Sequence, residues 1–122
     1  MPVIVKSLEK YRDTVTPSGL NVETTIIEVG PQENVYLVEG YLDLGNLNVG
    51  DAVVITEYVA VDGVNYRVFG TLGVQGPQVE PVLRFHTKTL HPLMKYKLTL
   101  TQTSGTVRSF PYAFIVEVLG EL

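Results

Sequence analysis

The clearest pattern along the chain is an alternation of apolar and polar residues between positions 95 and 103. Tyr96, Leu98 and Leu100 occupy one parity, and polar residues occupy the other. The polar positions are Lys95, Lys97, Thr99, Thr101 and Thr103. Because successive side chains of a β-strand point to opposite faces, this alternation predicts a strand with one buried face and one polar face.

Further strands are predicted by runs rich in β-branched and aromatic residues, at positions 21–29, 34–44, 52–61, 64–72, 79–87 and 107–119. Asp62 and Gly63 lie between two of these runs, and an Asp-Gly pair in that position predicts a tight hairpin turn. Glycine and proline at positions 73–78 predict a loop. No segment shows the 3.6-residue period of an amphipathic helix.

These elements predict an all-β protein. We expect a two-sheet antiparallel β-sandwich of jelly-roll or immunoglobulin-like topology, with seven or eight strands and essentially no helix. Residues 1–16 are predicted to form an N-terminal arm or the first strand, and residues 17–122 a single β-sandwich domain. A chain of 122 residues is long enough to bury one core without disulfides.

The composition disfavours several kinds of partner. A net charge of -4 is unfavourable for a nucleic-acid binder, which needs a clustered basic surface. The chain has no cysteine, so it can form neither disulfides nor a thiolate zinc site. The N-terminus lacks the basic and long apolar regions of a signal peptide, and no apolar run reaches the roughly 18 residues of a membrane span. We therefore expect no nucleic acid and no membrane as partners.

No set of residues is typical of an enzyme. His86 and His91 are five positions apart, and the nearest acid after them is Glu117, which does not fit a metal site on adjacent strand positions. Glu39 and Asp43 would lie about 13 Å apart on one strand, too far for a glycosidase pair. A Gly-x-Ser-x-Gly motif and a phosphate-binding glycine loop are both absent. We predict a protein that is not an enzyme and has no metal site and no cofactor.

The charges are distributed unevenly along the chain. Three basic and ten acidic residues precede Asn65, whereas six basic and three acidic residues follow from that position onward. Two interpretations are open, because the halves could form oppositely charged faces that attract neighbouring copies, or could interleave in the sandwich without consequence. On the first interpretation the candidate subunit contact is the polar row Lys95, Lys97, Thr99 and Thr101, and on the second that row is a solvated outer face.

The aromatic residues allow another hypothesis. The chain has seven Tyr, four Phe and no Trp. Tyr41, Tyr58 and Tyr66 would form an aromatic platform for a carbohydrate if they shared an exposed face, and otherwise they pack with their hydroxyls at the sheet edge. The second parity of residues 34–44 is also half apolar, with Val35 and Leu37, which favours its burial by another copy.

Three segments carry a resemblance to known proteins. They are Gly40-Tyr41-Leu42-Asp43-Leu44, Gly50-Asp51-Ala52-Val53-Val54 and Leu98-Thr99-Leu100-Thr101-Gln102-Thr103-Ser104-Gly105. Through them the chain resembles small all-β structural proteins of viruses, such as jelly-roll capsid, decoration or turret subunits. The resemblance implies a protein without catalytic residues that functions by symmetric assembly.

The predicted function is therefore that of a non-enzymatic structural protein that self-assembles, as a component of a virion. Its expected partners are copies of itself and other virion proteins. It would be made in the host cytoplasm and reside in the virion, or in the cytoplasm if it is not viral. The alternative is a β-sandwich module that binds a carbohydrate or another ligand.

Overall fold

The computed structural model describes residues 2–121, and in this range it has eight β-strands and no helix. The strands are β1 (Val3–Val15), β2 (Thr24–Val29), β3 (Tyr36–Asp43), β4 (Ala52–Ala60), β5 (Arg67–Gln75), β6 (Val82–Leu90), β7 (Lys95–Ser104) and β8 (Phe110–Glu121). None of the described residues belongs to a helix that could cross a membrane. Met1 and Leu122, the outer ends of the predicted ranges 1–16 and 17–122, lie outside the described residues.

The strands form two antiparallel sheets, in the orders β1-β8-β3-β6 and β2-β7-β4-β5. In each sheet a strand from the first half of the chain alternates with one from the second half. The pairs β1 with β8, β2 with β7, β3 with β6 and β4 with β5 are those of one long hairpin rolled into a sandwich. This is the jelly-roll arrangement. The predicted sandwich is confirmed, and its topology is jelly-roll rather than immunoglobulin-like.

Several strand boundaries differ from the predictions. Strand β5 continues through Gly73 to Gln75, where a loop was expected, and β6 begins at Val82 and continues to Leu90. The turn between β4 and β5 covers residues 61–66 and is wider than a two-residue hairpin. The cause is Asp62, whose Oδ1 accepts hydrogen bonds from the backbone N–H groups of Val64 and Asn65 and so folds extra residues into the turn.

The core lies between the two sheets and is built from the inward-facing parity of each strand. Leu98 and Leu100 of β7 are fully buried, as the alternation predicted. Phe114 of β8 is also buried, and its ring occupies the space that a side chain at Gly40 would need. Full burial of each such large apolar side chain contributes about 1.5–3 kcal/mol to folding.

Candidate assembly surfaces

The polar row predicted as a subunit contact lies on the outer face of the second sheet. Its central residue, Lys97, is held between two aromatic rings. The ammonium Nζ lies 4.9 Å from the ring centroid of Tyr58 and 4.6 Å from that of Tyr66. Both separations are within the range of a cation–π interaction. We call the three residues the Lys97 clamp.

Carboxylates fix both tyrosines of the clamp. The hydroxyl of Tyr58 donates to Glu23 Oε2 at 2.5 Å, and that of Tyr66 donates to Glu28 Oε2 at 2.7 Å. The hydrogen bond to Glu23 raises the pKa of Tyr58, while the pKa of Tyr66 is raised first by burial and then by its bond to Glu28. The hydroxyls of Tyr58 and Tyr66 are therefore protonated and neutral at physiological pH.

The rest of the row is partly covered as well. Thr99 donates to Glu23 Oε2 at 2.7 Å and is only 2% exposed. Hydrogen bonds from Tyr58 and Thr99 lower the pKa of Glu23, so its carboxylate stays charged. Lys97 and Thr99 are thus occupied within the subunit. Lys95 and Thr101 are half-buried and stay proposed contact residues.

The three tyrosines of the predicted platform do not share a face. Tyr58 and Tyr66 meet around Lys97 on the second sheet, whereas Tyr41 lies on the outer face of the first sheet and is 52% exposed. The side chain of Tyr41 stands between two shallow hollows, which share Ala113 of β8. A three-ring platform is therefore not present in this arrangement.

Tyr41 belongs to a row that crosses the first sheet. The strand register places Arg12 beside Ala113, Ala113 beside Tyr41, and Tyr41 beside Arg84. Arg12 and Arg84 are exposed, and so are apolar side chains in neighbouring rows. Those apolar residues are Leu8, Val82 and Ile115. This outer face is half apolar, as the second parity of residues 34–44 predicted.

The candidate catalytic residues lie on β3, on β6 and in the loop after β6, and the register places Glu39 opposite the part of β6 that contains His86 and Thr87. His86 is exposed on β6 and His91 lies in the following loop, where its Nδ1 accepts a hydrogen bond from Leu93 N. Glu39 accepts a hydrogen bond from Thr87, and Asp43 accepts one from Gly45 N. Within residues 2–121 no group of three His, Asp or Glu side chains is placed to hold a metal ion.

Some of the acidic and basic residues of the two halves of the chain pair with each other inside the sandwich. Because the sheets alternate early and late strands, acidic and basic residues meet inside one subunit. Lys88 Nζ lies 2.9 Å from Glu57 Oε2, and Arg108 Nε lies 2.8 Å from Asp51 Oδ2. These two ion pairs favour the interleaved interpretation.

The sandwich is open along the side formed by β5 and β6. A cleft of about 480 Å³ separates the two edge strands. Apolar side chains form part of its lining, and two of them are about half exposed, namely Phe69 at 59% and Leu72 at 48%. The other apolar lining residues are Ile55, Leu83 and Phe85. A single subunit therefore leaves part of its apolar interior uncovered here.

A polar group lies at the floor of this cleft. Lys88 and Glu57 form their ion pair there, with side chains 15% and 18% exposed. The hydroxyl of Tyr96 donates to the same oxygen of Glu57 at 2.5 Å. Burial, and then the Glu57 carboxylate, raise the pKa of Tyr96, so the phenol remains a donor. The carboxylate is thus satisfied from two sides.

Among the edge strands of the described part, β5 differs in its chemistry. It pairs only with β4 and carries no charged side chain from Val68 to Gln75. Strand β1 has charged residues and a register shift, as have β2 and β6. Charges and bulges are the usual protection of sheet edges against pairing with other chains. Strand β5 lacks such charges from Val68 to Gln75, and its bulge at Phe69 leaves the ladder from Gly70 to Gln75 regular.

The sequence interpretation overlooked this edge because Gly73 was assigned to a loop. The signal that marks it is the uncharged run Val68-Phe69-Gly70-Thr71-Leu72-Gly73-Val74-Gln75. Such a run in a strand is unusual when the strand has a neighbour on one side only.

Comparison with known proteins finds similarity of fold alone. No protein-family model matches the chain, and no curated protein sequence is significantly similar to it. A subunit of the Bacillus endospore appendages, described as disulfide-linked pili, superposes with a TM-score of 0.59 and 16% identity. The superposition covers 95% of this chain and 88% of the appendage subunit.

The second similar structure is VP2 from the subviral particle of infectious bursal disease virus. Its TM-score is 0.51 and its identity 14%, and the superposition covers 92% of this chain. The chain spans only 32% of the length of VP2. The resemblance to all-β viral structural proteins is confirmed at the level of the fold.

Proposed function

We propose that this chain is a non-enzymatic structural protein that assembles with copies of itself, and that the assembly forms part of a virion, as a capsid, decoration or turret subunit. The observation that carries the proposal is the exposed edge of β5, which is uncharged from Val68 to Gln75, beside a cleft whose lining includes exposed apolar side chains. The fold that this chain shares with a pilus subunit and with a subviral-particle protein supports it.

The edge favours assembly for a simple reason. An edge strand presents a row of backbone N–H and C=O groups that are not paired within the sheet, and a further strand can satisfy them. Apolar side chains beside that edge, such as Phe69 and Leu72, gain free energy when they leave water. Backbone pairing and apolar burial are therefore available at the same place.

The contacts of such an assembly would be non-covalent. The endospore appendages are disulfide-linked, but these 122 residues contain no cysteine. Subunits would be joined by strand pairing and by the half-apolar outer face around Tyr41. Assembly of this kind depends on concentration, unlike a disulfide-linked polymer.

Light scattering coupled to size exclusion tests self-assembly. At micromolar concentration we expect a mass that is a multiple of the subunit mass. Val79 is 98% exposed in the loop before β6. Val79→Lys is therefore a control that adds a charge away from the β5 edge and should leave the number of subunits in the assembly unchanged. A strict monomer over the whole accessible concentration range contradicts self-assembly.

The virion part of the proposal needs a separate experiment. Mass spectrometry of nuclease-treated, gradient-purified particles from the source culture should detect this chain in stoichiometric amounts. Its absence from such particles, together with self-assembly of the purified protein, would contradict the virion role and leave the structural role in place.

A carbohydrate-binding module remains the second candidate, and the exposed ring of Tyr41 favours it. The ring borders hollows of about 360 and 170 Å³, with Arg84 lining one and Arg12 the other. Aromatic rings that stay exposed beside polar groups suit sugar stacking. Binding on a glycan array that is lost in Tyr41→Ala but kept in Tyr58→Phe would support this function, and silence on the array contradicts it.

A further inference from the structure

We infer that β5 pairs with β5 of a second copy, antiparallel and across a two-fold axis at Leu72. The two second sheets would join into one sheet of eight strands. The inference rests on the proposed function and specifies its first contact. A closed two-fold dimer is the commonest form of soluble oligomer, and it uses the same surface on both subunits.

The choice of β5 as its own partner follows from charge. Pairing with β1 would place Lys6, Glu9 or Lys10 beside an uncharged apolar strand, and pairing with β6 would place Arg84 there. Burying an unpaired charge costs free energy. Strand β2 has only six residues and contains a register shift. Two copies of β5 bring no charge to the contact between positions 68 and 75.

The register follows from the regular part of the strand. Between β4 and β5 the ladder is continuous from Gly70 to Gln75, and Phe69 is an extra residue at a bulge. A two-fold axis perpendicular to the sheet keeps inward-facing residues inward. Residues that lie opposite each other must then have the same parity, so one residue lies opposite its own copy at the axis. An axis at Thr71 would place the bulge residue Phe69 opposite Gly73, only two positions from the axis. An axis at Gly73 would place Gly73 opposite its own copy and Gly70 opposite Gly76, which lies beyond the end of β5, so that no side chain would fill the space beside the glycines.

The axis at Leu72 gives a complementary set of side chains. Gly70 lies opposite Val74 of the second copy, and Thr71 lies opposite Gly73 of the second copy. Each glycine thus faces a β-branched side chain that fills the space left by the missing Cβ. Nothing within 4 Å would contact a side chain at Gly73 in the single subunit, so this space is open.

The pairing also covers apolar surface at the cleft. Leu72 faces inward over the cleft, next to Ile55 in the register, and is 48% exposed. At the axis it meets Leu72 of the second copy, and both side chains lie over the apolar lining that includes Leu83. The contact therefore adds burial to the backbone hydrogen bonds.

A single cysteine tests the axis, because the chain has none of its own. In Leu72→Cys the two α-carbons would be about 4.5–5.5 Å apart, within the range of a disulfide. Oxidation with copper phenanthroline should convert most of the protein into a covalent dimer. The control is Gln75→Cys on the same exposed edge, whose two copies would lie about 20 Å apart and should not cross-link.

A charge at the axis provides the second measurement. Leu72→Lys places two ammonium groups opposite each other, which opposes pairing. Light scattering should show loss of the oligomer in Leu72→Lys and no change in Val79→Lys. Since Leu72 is half exposed, we expect the variant to fold, and thermal unfolding verifies this.

Failure of this inference is distinguishable from failure of the proposed function. If the wild-type chain self-assembles but Leu72→Cys gives no covalent dimer, the β5 axis is overturned and assembly stands. If cross-linking is as efficient in Gln75→Cys, the register is overturned. If the wild type is strictly monomeric, both the inference and the proposed function are overturned.

Discussion

Arg108 donates a hydrogen bond from Nε to Oδ2 of Asp51 at 2.8 Å, and this ion pair joins the loop before β4 to the loop before β8. The side chain of Asp51 is only 1% exposed. Its oxygens also accept hydrogen bonds from the backbone N–H groups of Asn48, at 2.8 Å, and Thr106, at 3.0 Å. One carboxylate therefore fixes both loops at this end of the sandwich.

The first prediction concerns pH. The hydrogen bond from Asn48 N, followed by that from Arg108, lowers the pKa of Asp51 in the folded state. The charged carboxylate therefore stabilises the fold fully above the ordinary Asp pKa of about 4, and this contribution is lost as the pH falls from there through the folded value. We expect Asp51→Asn to be less stable than the wild type at pH 6 and the difference to shrink towards pH 2. Thermal unfolding across that range measures it, and a constant difference contradicts it.

The second prediction compares two glycines of positive φ. Gly50 has a φ of 90° and Gly105 a φ of 85°. A side chain at Gly50 would contact nothing within 4 Å, whereas one at Gly105 would overlap Asp51. Gly50→Ala should therefore cost only the left-handed backbone conformation, about 1–2 kcal/mol, and Gly105→Ala should cost more. Urea unfolding of both variants measures the difference, and equal losses would show that Asp51 moves aside freely.

The third prediction concerns the Lys97 clamp. A double-mutant cycle of Lys97→Met and Tyr66→Leu should give a coupling energy of about 0.5–1 kcal/mol, because each change removes one partner of a cation–π contact. The cycle with Tyr66→Phe should give a coupling energy near zero, since phenylalanine keeps the ring that Lys97 contacts and loses only the hydrogen bond to Glu28. Additive effects in the Tyr66→Leu cycle would show that the contact between Lys97 and Tyr66 contributes nothing to stability.

The inward-facing residues were predictable because they follow the strand period without interruption. Leu98 and Leu100 are buried for the reason that the alternation indicates, and the same holds for Phe114 and Val116 of β8. Strand β1 was harder to assign, since most of its residues are exposed on both faces and its pattern does not alternate. An edge strand such as β1 is held by backbone hydrogen bonds, here to β8. These bonds do not require its side chains to alternate between apolar and polar.

The surfaces were not predictable, because they depend on which distant strands become neighbours. Lys97 meets Tyr58 only because β7 and β4 pair in one register, and Tyr41 is separated from Tyr58 because β3 enters the other sheet. The open cleft depends in turn on β5 and β6 being edges of different sheets on the same side. Local propensity contains no information about these pairings.

The last prediction concerns the ion pair at the floor of the cleft. Lys88→Met leaves the Glu57 carboxylate with Tyr96 as its remaining hydrogen-bond donor, in a site where the side chain is 18% exposed. We expect the free energy of unfolding to fall by about 2 kcal/mol, because a partly buried charge loses its partner. Lys10→Met, at an exposed position of β1, is the control for removing a positive charge and should change stability little.

The double variant Lys88→Met/Glu57→Gln separates charge from packing. Glutamine at position 57 can still accept the hydrogen bond from Tyr96, but it leaves no unpaired charge. We therefore expect the double variant to regain part of the stability that Lys88→Met loses, as measured by urea unfolding. If it is no more stable than Lys88→Met, the loss comes from the other contacts of Lys88, whose Nζ lies 5.3 Å from the ring centroid of Tyr96 and donates a hydrogen bond to His86 O. The ion pair would then not be what stabilises the floor of the cleft.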